Sequence, residues 1–310
     1  MPLSQRSRAS FKRILAILTA ILMTNASAQT LTFKDVLDRT PRPAPPHKVT
    51  YGSHPDQYAE LWLPEALGTL LPVVVLIHGG CWRADLPGPE LVAFLSQAIA
   101  QKGVAVWSVT YRRVGTKAEN FSPYPDTFLD VAAAADKLRE IAPRYKLDLN
   151  RVITTGHSAG GHLAIWLAAR PKIASTSPLY AATPLPVKAT VGIAALADLQ
   201  YAKSASAHAC GSDTVDLLIN TKERKDAAYL DTSVTPLLPL GVSQTLISGV
   251  YDGIVAPAHA LRYRERAKAK GEMVTLLTLD DSGHFELIAP WTAPGALVVE
   301  SIVNTAKHLK

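Results

Sequence analysis

The residues best suited to chemistry surround Ser158, in a stretch where positions 156–160 read GHSAG. The β-branched residues just before it, 152–155, predict a short buried strand, and the apolar residues just after it predict a helix. Strand, sharp turn and helix are the context in which the spacing G-x-S-x-G presents a serine as a nucleophile. We therefore predict that Ser158 is a nucleophile, against the alternative that the glycines only form a structural turn.

A serine hydroxyl at neutral pH needs a general base, and the base needs a carboxylate that fixes its tautomer and stabilises its cation. His284 follows a predicted strand and comes late in the chain, as expected for the order Ser, Asp or Glu, His. The eight other histidines fit less well. They precede the sheet, lie at the terminus, lack a strand just before them, stand in a glycine turn, or flank Ser158 with side chains predicted to point elsewhere.

The carboxylate is a choice between several aspartates. Asp252 follows a predicted strand and lies between Ser158 and His284 in the chain. Asp198 also ends a predicted strand and is the alternative. Asp280 and Asp281 are close to His284 in sequence, where we expect them to cap a loop.

Acyl transfer also needs hydrogen-bond donors for a developing oxyanion. The amide of Ala159 follows the nucleophile, and the loop after the apolar run 71–77 offers the amides of Gly80 and Cys81. Glycines there allow close backbone approach, although a tight turn would also require them. Trp82 and Tyr111 are candidates for the wall of the substrate pocket, with Trp107 and Arg112 as further candidates and core packing as the alternative for Trp107.

A mostly parallel sheet would bring these loops to one edge, since sites in open parallel sheets lie beyond the carboxyl ends of the strands. Strand and helix patterns alternate along the chain, which predicts an α/β protein with helices on both faces of the sheet. The predicted strands are His47–Ser53, Tyr58–Pro64, Leu71–Ile77, Val104–Tyr111, 152–155, Val187–Ala195, Gln244–Ser248 and Met273–Leu279. The predicted helices are Glu90–Gln101, Asp126–Ile141, the one after Ser158 up to Arg170, Val255–Lys270 and much of Gly295–Leu309.

The first 28 residues predict an export signal. Four basic residues precede a short apolar run, Ile14–Met23, and positions 26–28 read ASA, as in a small-residue cleavage site. About ten apolar residues are too few to span a bilayer. We expect cleavage before Gln29 and export to the periplasm or the medium, without a stable membrane anchor after cleavage; an uncleaved anchor is the alternative.

Removal of residues 1–28 changes the charge balance. The full chain has 32 basic and 26 acidic residues, and the signal carries four basic and no acidic ones. The remaining 28 against 26 gives no support for nucleic acid as a partner. The remaining 282 residues fit a single α/β domain, residues 29–310, in which 200–241 has weaker periodicity and reads as a cap-like excursion over the site.

Two cysteines, Cys81 and Cys210, are the whole cysteine content of the chain. In an exported protein they could form a disulfide, or they could remain two buried thiols. The sequence contains no metal-binding cluster, phosphate-binding loop or dinucleotide fingerprint, so we expect neither a metal nor a cofactor.

The pairing of HGGCW at 78–82 with GHSAGGHLA at 156–164 resembles the α/β-hydrolase superfamily, over residues 47–310. The resemblance is to the esterase group that contains hormone-sensitive-lipase-like, feruloyl-esterase-like and kynurenine-formamidase-like enzymes. It implies an α/β-hydrolase fold with an antiparallel first strand pair, triad roles for Ser158, Asp252 and His284, and an oxyanion hole in the glycine loop. Cys81 departs from the family, which usually has glycine or an aromatic residue there; its backbone amide is kept.

Three hypotheses about function follow. The first is an exported serine carboxylesterase that acts on a small-molecule ester through an acyl-enzyme on Ser158. The second keeps the mechanism but cleaves an amide, as arylformamidases and prolyl-oligopeptidase-like enzymes do. The third is a catalytically silent scaffold that binds a partner. A missing triad member would favour this hypothesis, and no triad member is missing from the sequence. The sequence does not specify the acyl or alcohol group, or the oligomeric state.

Overall fold

The computed structural model describes residues 30–45, 47–65, 70–115, 124–205, 210 and 213–309. The predicted export signal, residues 1–28, lies outside the described residues. Within the described ranges, no helix is long and apolar enough to cross a membrane.

Eight strands form one sheet in the described part of the chain: β1 His47–Thr50, β2 Tyr58–Trp62, β3 Leu71–Ile77, β4 Ala105–Val109, β5 Leu147–His157, β6 Ala189–Ile193, β7 Ser243–Gly249 and β8 Val274–Leu279. Their spatial order is β1-β2-β4-β3-β5-β6-β7-β8. β2 pairs antiparallel with β1 and with β4, and every other pairing is parallel. The predicted antiparallel opening pair and mostly parallel sheet are confirmed.

Helices cover both faces of this sheet, as predicted. In the described part of the chain, the α-helices are α1 Phe33–Leu37, α2 Ala93–Gln101, α3 Asp126–Tyr145, α4 Ala159–Ala169, α5 Leu199–Ala205, α6 Thr214–Ile219, α7 Thr221–Arg224, α8 Ala258–Lys268 and α9 Ala293–Lys307. Helices α4 and α9 both pack on β3, β5 and β6, on opposite faces of the sheet. α3 packs against α4, and α2 packs against α9.

The central strands are apolar because both of their faces are covered. All seven residues of β3, which read LPVVVLI, are buried. A strand covered on both sides needs apolar side chains in both directions, so it shows no polar alternation. Trp107 in β4 is also fully buried, and its indole N–H donates to the carbonyl of Ala134, 2.9 Å away. It belongs to the core rather than to a substrate pocket.

Several boundaries differ from the predicted ones. β5 begins at Leu147, earlier than the β-branched run, because it also pairs with Leu71 before a register shift between Pro72 and Val73. The last helix begins at Ala293, earlier than predicted, because the hydroxyl of Thr292 accepts the amide of Gly295 and caps the first turn.

Cys81 and Cys210 form a disulfide across a sequence separation of 129 residues. Cys81 lies in the loop after β3, and Cys210 lies between α5 and α6. The bond therefore joins the 200–241 excursion to the loop predicted to bind the oxyanion. Of the two alternatives that the sequence left open, the structure contains the disulfide.

Candidate active site

Ser158 lies in the sharp turn between β5 and α4. Its φ of 57° is a left-handed value that non-glycine residues rarely adopt. Its amide donates to the carbonyl of Ile193, 2.8 Å away, which holds the turn against the neighbouring strand β6. A strained backbone of this kind persists only where the surroundings over-determine it, and such positions cluster at functional sites.

The glycines on either side of Ser158 are required by close packing. A Cβ at Gly156 would lie 2.2 Å from the carbonyl oxygen of Gly160. A Cβ at Gly160 would lie 2.2 Å from the carbonyl oxygen of Ile77 in β3. Both neighbours are backbone atoms that cannot rotate away, so a side chain at either position would displace helix α4 from the sheet.

A buried acid–base pair lies at the same edge of the sheet. The imidazole Nδ1 of His284, after β8, is 2.7 Å from Oδ2 of Asp252, after β7. The other carboxylate oxygen of Asp252 accepts the amides of Ile254 and Val255 at 2.9 and 2.7 Å. Because the carboxylate accepts, Nδ1 carries the hydrogen, and Nε2 of His284 is left as the basic nitrogen.

Asp198, the alternative carboxylate, lies elsewhere. Its Oδ1 accepts the amide of Tyr201 at 3.1 Å, and its Oδ2 lies 3.4 Å from Nε of Arg262. These contacts stabilise the first turn of α5 rather than orient His284.

The loop after β3 passes beside the nucleophile. A Cβ at Gly79 would lie 3.3 Å from the Cβ of Ser158. Gly80 (φ 99°), Cys81 (φ 49°) and Trp82 (φ 55°) follow in left-handed conformations. A side chain at Gly80 would also meet the carbonyl oxygen of Pro87, 2.7 Å from its Cβ, so this position requires glycine.

The predicted oxyanion donors belong to this loop and to the start of α4. Gly80 and Cys81 line the same cavity as Ser158. Ala159 is the first residue of α4, and the first amides of a helix have no acceptor within the helix. The amide of Ala159 is therefore free of the helix ladder and, by its position after Ser158, suited to bind a developing negative charge.

A cavity of about 210 Å³ joins these elements. Ser158 and His284 both line it, and most of its other described lining residues are apolar. They are Phe33, Gly80, Cys81, Leu86, Pro87, Leu91, His157, Ile254 and Phe285.

His157 is a site residue that the sequence reasoning missed, because its side chain was predicted to point elsewhere. Its Nε2–H donates to the backbone carbonyl of His284, 3.0 Å away, and the two ring centroids are 4.2 Å apart. Burial, and secondarily the charge that His284 can carry, hold the pKa of His157 well below its ordinary value. The neutral imidazole of His157 therefore holds the backbone of His284 in place through this hydrogen bond. The alternation of side chains along β5 determines the face on which His157 lies. Its partner, the carbonyl of His284, depends on the path of the loop after β8, which the sequence does not indicate.

The sequence model of the BD-FAE family matches residues 59–262. This segment is more than half of the chain and includes Ser158 and Asp252. The chain belongs to the BD-FAE family. His284 lies beyond the matched segment, and its pairing with Asp252 is seen in the structure.

This BD-FAE protein is also similar in sequence to characterised enzymes. Esterase LipC of Mycobacterium tuberculosis is 27% identical over 270 residues, covering 83% of this chain and 64% of LipC. The kynurenine formamidase of Danio rerio is 28% identical over 116 residues, covering 37% of this chain and 36% of that enzyme. The matches thus span less than two thirds of the length of these relatives.

Among solved structures, an inhibited esterase B from Lactobacillus rhamnosis superposes with a TM-score of 0.73. It is 20% identical, and the superposition covers 89% of this chain and 91% of that one. At this identity the likeness concerns the fold, and the predicted α/β-hydrolase fold is confirmed.

Trp82 and Tyr111, predicted to line the substrate pocket of this BD-FAE protein, lie in the core instead. Both side chains are fully buried, and neither lines the Ser158 cavity. The Trp82 ring packs edge-on against His162, with centroids 5.5 Å apart. Tyr111 stacks on His78 at 4.6 Å, and its hydroxyl donates to the carbonyl of that histidine. The left-handed turn at 80–82 points Trp82 inward, which its sequence position alone does not indicate.

His78 and Arg112 also serve the framework of this protein. Nδ1 of His78 donates to the carbonyl of Gly79 at 2.7 Å, and burial lowers the pKa of His78 to about 3. The guanidinium of Arg112 is held by Asp130 and Asp126 at 2.7 Å each. In the described part of the chain, no group of three or more His, Cys, Asp or Glu residues is placed to hold a metal ion.

Proposed function

We propose that this BD-FAE protein is an exported serine carboxylesterase. The observation that carries the proposal is the pairing of His284 with Asp252 at the wall of the cavity that also contains Ser158. Similarity to LipC supports ester hydrolysis as the reaction. The apolar lining of the cavity supports a small, uncharged ester as the substrate.

In the proposed reaction, Oγ of Ser158 attacks the ester carbonyl while Nε2 of His284 takes the hydroxyl proton. The amides of Gly80, Cys81 and Ala159 stabilise the oxyanion of the tetrahedral intermediate. Collapse of that intermediate breaks the bond to the alkoxy oxygen, which leaves as an alcohol with the proton from His284. Water then attacks the acyl-enzyme and gives one proton to Nε2 of His284, forming a second tetrahedral intermediate. Its collapse breaks the bond to Oγ of Ser158, which takes that proton back from His284, and the carboxylic acid is released.

Turnover of p-nitrophenyl esters from acetate to palmitate, with feruloyl esters beside them, tests this proposal. We expect hydrolysis of at least one ester and covalent labelling by a fluorophosphonate. Ser158→Ala should abolish labelling and lower kcat by roughly 10⁶-fold. Ser204→Ala, at an exposed helix position, is the control and should leave both unchanged. Full activity of Ser158→Ala would refute the assignment of the nucleophile.

Amide hydrolysis is a second candidate, because similarity to a kynurenine formamidase extends over 116 residues. N-formylkynurenine assayed beside the esters separates the two. A higher kcat/KM for N-formylkynurenine than for any ester would replace esterase with formamidase and leave the roles of Ser158, Asp252 and His284 as proposed.

Export is the part of the proposal that rests on the sequence of residues 1–28. Expression of the full chain in a bacterial host should give a mature protein that begins at Gln29 outside the cytoplasm. A variant without residues 1–28 should remain in the cytoplasm. Recovery of the full-length chain with Met1 intact from the cytoplasm would contradict export.

A further inference from the structure

Residues 30–42, called here the N-terminal strap, are fastened to the fold at both ends. At the first end, the amide of Leu31 donates to a carboxylate oxygen of Glu286. At the other, Arg42 donates from Nη2 to the carbonyl of Glu90 at 2.6 Å, and its Nη1 donates within the strap to the carbonyl of Leu37 at 2.6 Å. The strap is therefore bound to the rest of the fold at Glu286 and at Glu90.

Glu286 connects the strap to the loop of the proposed catalytic histidine. Its second carboxylate oxygen accepts the amide of Gly283, 2.9 Å away and one residue before His284. Glu286 is only 7% exposed, so these two amides bind its carboxylate in a largely dry environment. The fit is tight: a Cβ at Gly283 would lie 2.9 Å from the Cβ of Thr30. The strap and the His284 loop are thus joined through the carboxylate of Glu286.

Between its two ends, the strap brings Phe33 to the cavity. The Phe33 side chain lines the cavity that contains Ser158, yet it is 46% exposed, which places it where the cavity meets solvent. Its ring packs edge-on against Phe285, with centroids 6.3 Å apart. Phe285 in turn lies 5.1 Å from the ring of His284. An apolar surface therefore runs from the rim of the cavity to the acid–base pair.

Covering the exposed part of Phe33 with another apolar group is favourable, because it removes apolar surface from water. A substrate in the cavity can supply that cover, because Leu86, Leu91 and Ile254 provide apolar surface on the same cavity. An alkyl chain of medium length or an aryl group has more apolar surface to place against these walls and Phe33 than an acetyl group has.

We propose that Phe33 is a specificity-determining residue, through which the N-terminal strap selects esters with a medium alkyl or aryl group. This inference rests on the proposed ester hydrolysis at Ser158. It assigns a role in substrate selection to a segment far from the nucleophile in sequence, which makes no contact with the reacting atoms.

The test compares p-nitrophenyl hexanoate with p-nitrophenyl acetate. Phe33→Ala should lower kcat/KM for hexanoate roughly tenfold and change that for acetate by less than about twofold, since only the longer chain loses an apolar contact. Phe33→Leu should restore most of the selectivity. Tyr180→Ala is the matched control, because Tyr180 is 47% exposed and does not line the cavity.

The inference would be overturned if Phe33→Ala left the ratio of the two kcat/KM values unchanged, whether or not both values fell. Urea midpoints of all variants show whether any loss comes from unfolding. If the wild type hydrolyses no ester, the proposed function fails separately. The apolar contact of Phe33 with a ligand is then tested by equilibrium binding of p-nitrophenyl hexyl ether, which esterases do not hydrolyse. Roughly tenfold weaker binding by Phe33→Ala would support this contact, and equal binding would refute it.

Discussion

The imidazole of His157 donates a hydrogen bond to the backbone carbonyl of His284, with Nε2 and the oxygen 3.0 Å apart. The residue just before the proposed nucleophile thus holds the residue proposed to activate it. This contact ties β5 to the loop after β8, two elements separated in the sheet by β6 and β7.

Replacing His157 by phenylalanine keeps a ring but removes the donor. The carbonyl of His284 is then left buried without its partner, which should lower the free energy of unfolding by about 1–3 kcal/mol. The loosened loop should lower kcat roughly tenfold, with little change in KM. Urea unfolding and ester kinetics measure the two effects. A stability loss with unchanged kcat would show that His157 is only structural, whereas His157→Gln, which can still donate, should recover part of kcat.

Asp252→Asn should lower kcat by about 10⁴-fold, because an amide leaves His284 in the wrong tautomer without disturbing its packing. Asp198→Asn is the matched control, since Asp198 was the alternative carboxylate in the sequence and contacts Arg262 instead. We expect that control to retain kcat within about twofold. If the two variants lost activity equally, the assignment of Asp252 as the orienting acid would be wrong.

Loss of the Cys81–Cys210 disulfide should lower the free energy of unfolding by about 2–5 kcal/mol, because a long loop in the unfolded chain is no longer closed. The double variant Cys81→Ser with Cys210→Ser, unfolded in guanidinium beside the wild type, measures this. Ester turnover should also fall, since Cys81 lies in the proposed oxyanion loop. Two free thiols in the denatured, unreduced protein would contradict the bond itself.

Acid should destabilise the protein through its buried histidines. Burial lowers the pKa of His78 to about 3 and of His162 to about 4, and holds the pKa of His157 well below its ordinary value. Below about pH 6.5 the unfolded chain binds protons at these sites that the folded protein does not, so stability is full above that pH and falls as the pH drops.

Each of these histidines should contribute a slope of up to roughly 1.4 kcal/mol per pH unit in the free energy of unfolding between about pH 6 and about pH 4.5. Urea unfolding at several pH values measures the total. His162→Gln can keep the donor to the carbonyl of Thr232 without titrating, so it should reduce the slope by the share of one proton. An identical slope in wild type and variant would contradict the assignment.

Local sequence patterns were sufficient to predict most of the strands and helices and the candidate residues of the site. The apolar run of β3, the turn glycines Gly156 and Gly160, and the positions of Ser158 and His284 just after predicted strands are local patterns. These patterns can be recognised in the sequence because they depend only on nearby residues. They are the periodicity of side chains, the steric demands of a turn and the position of a loop after a strand. The parallel sheet followed from the same patterns, and the structure confirms it.

Which distant segments meet is seen only in the tertiary structure. It paired Asp252 rather than Asp198 with His284, joined Cys81 to Cys210, and turned Trp82 and Tyr111 into the core. It also brought Phe33 and His157 to the cavity. These outcomes depend on strand register, on left-handed turns and on the paths of loops between strands, none of which a local pattern encodes.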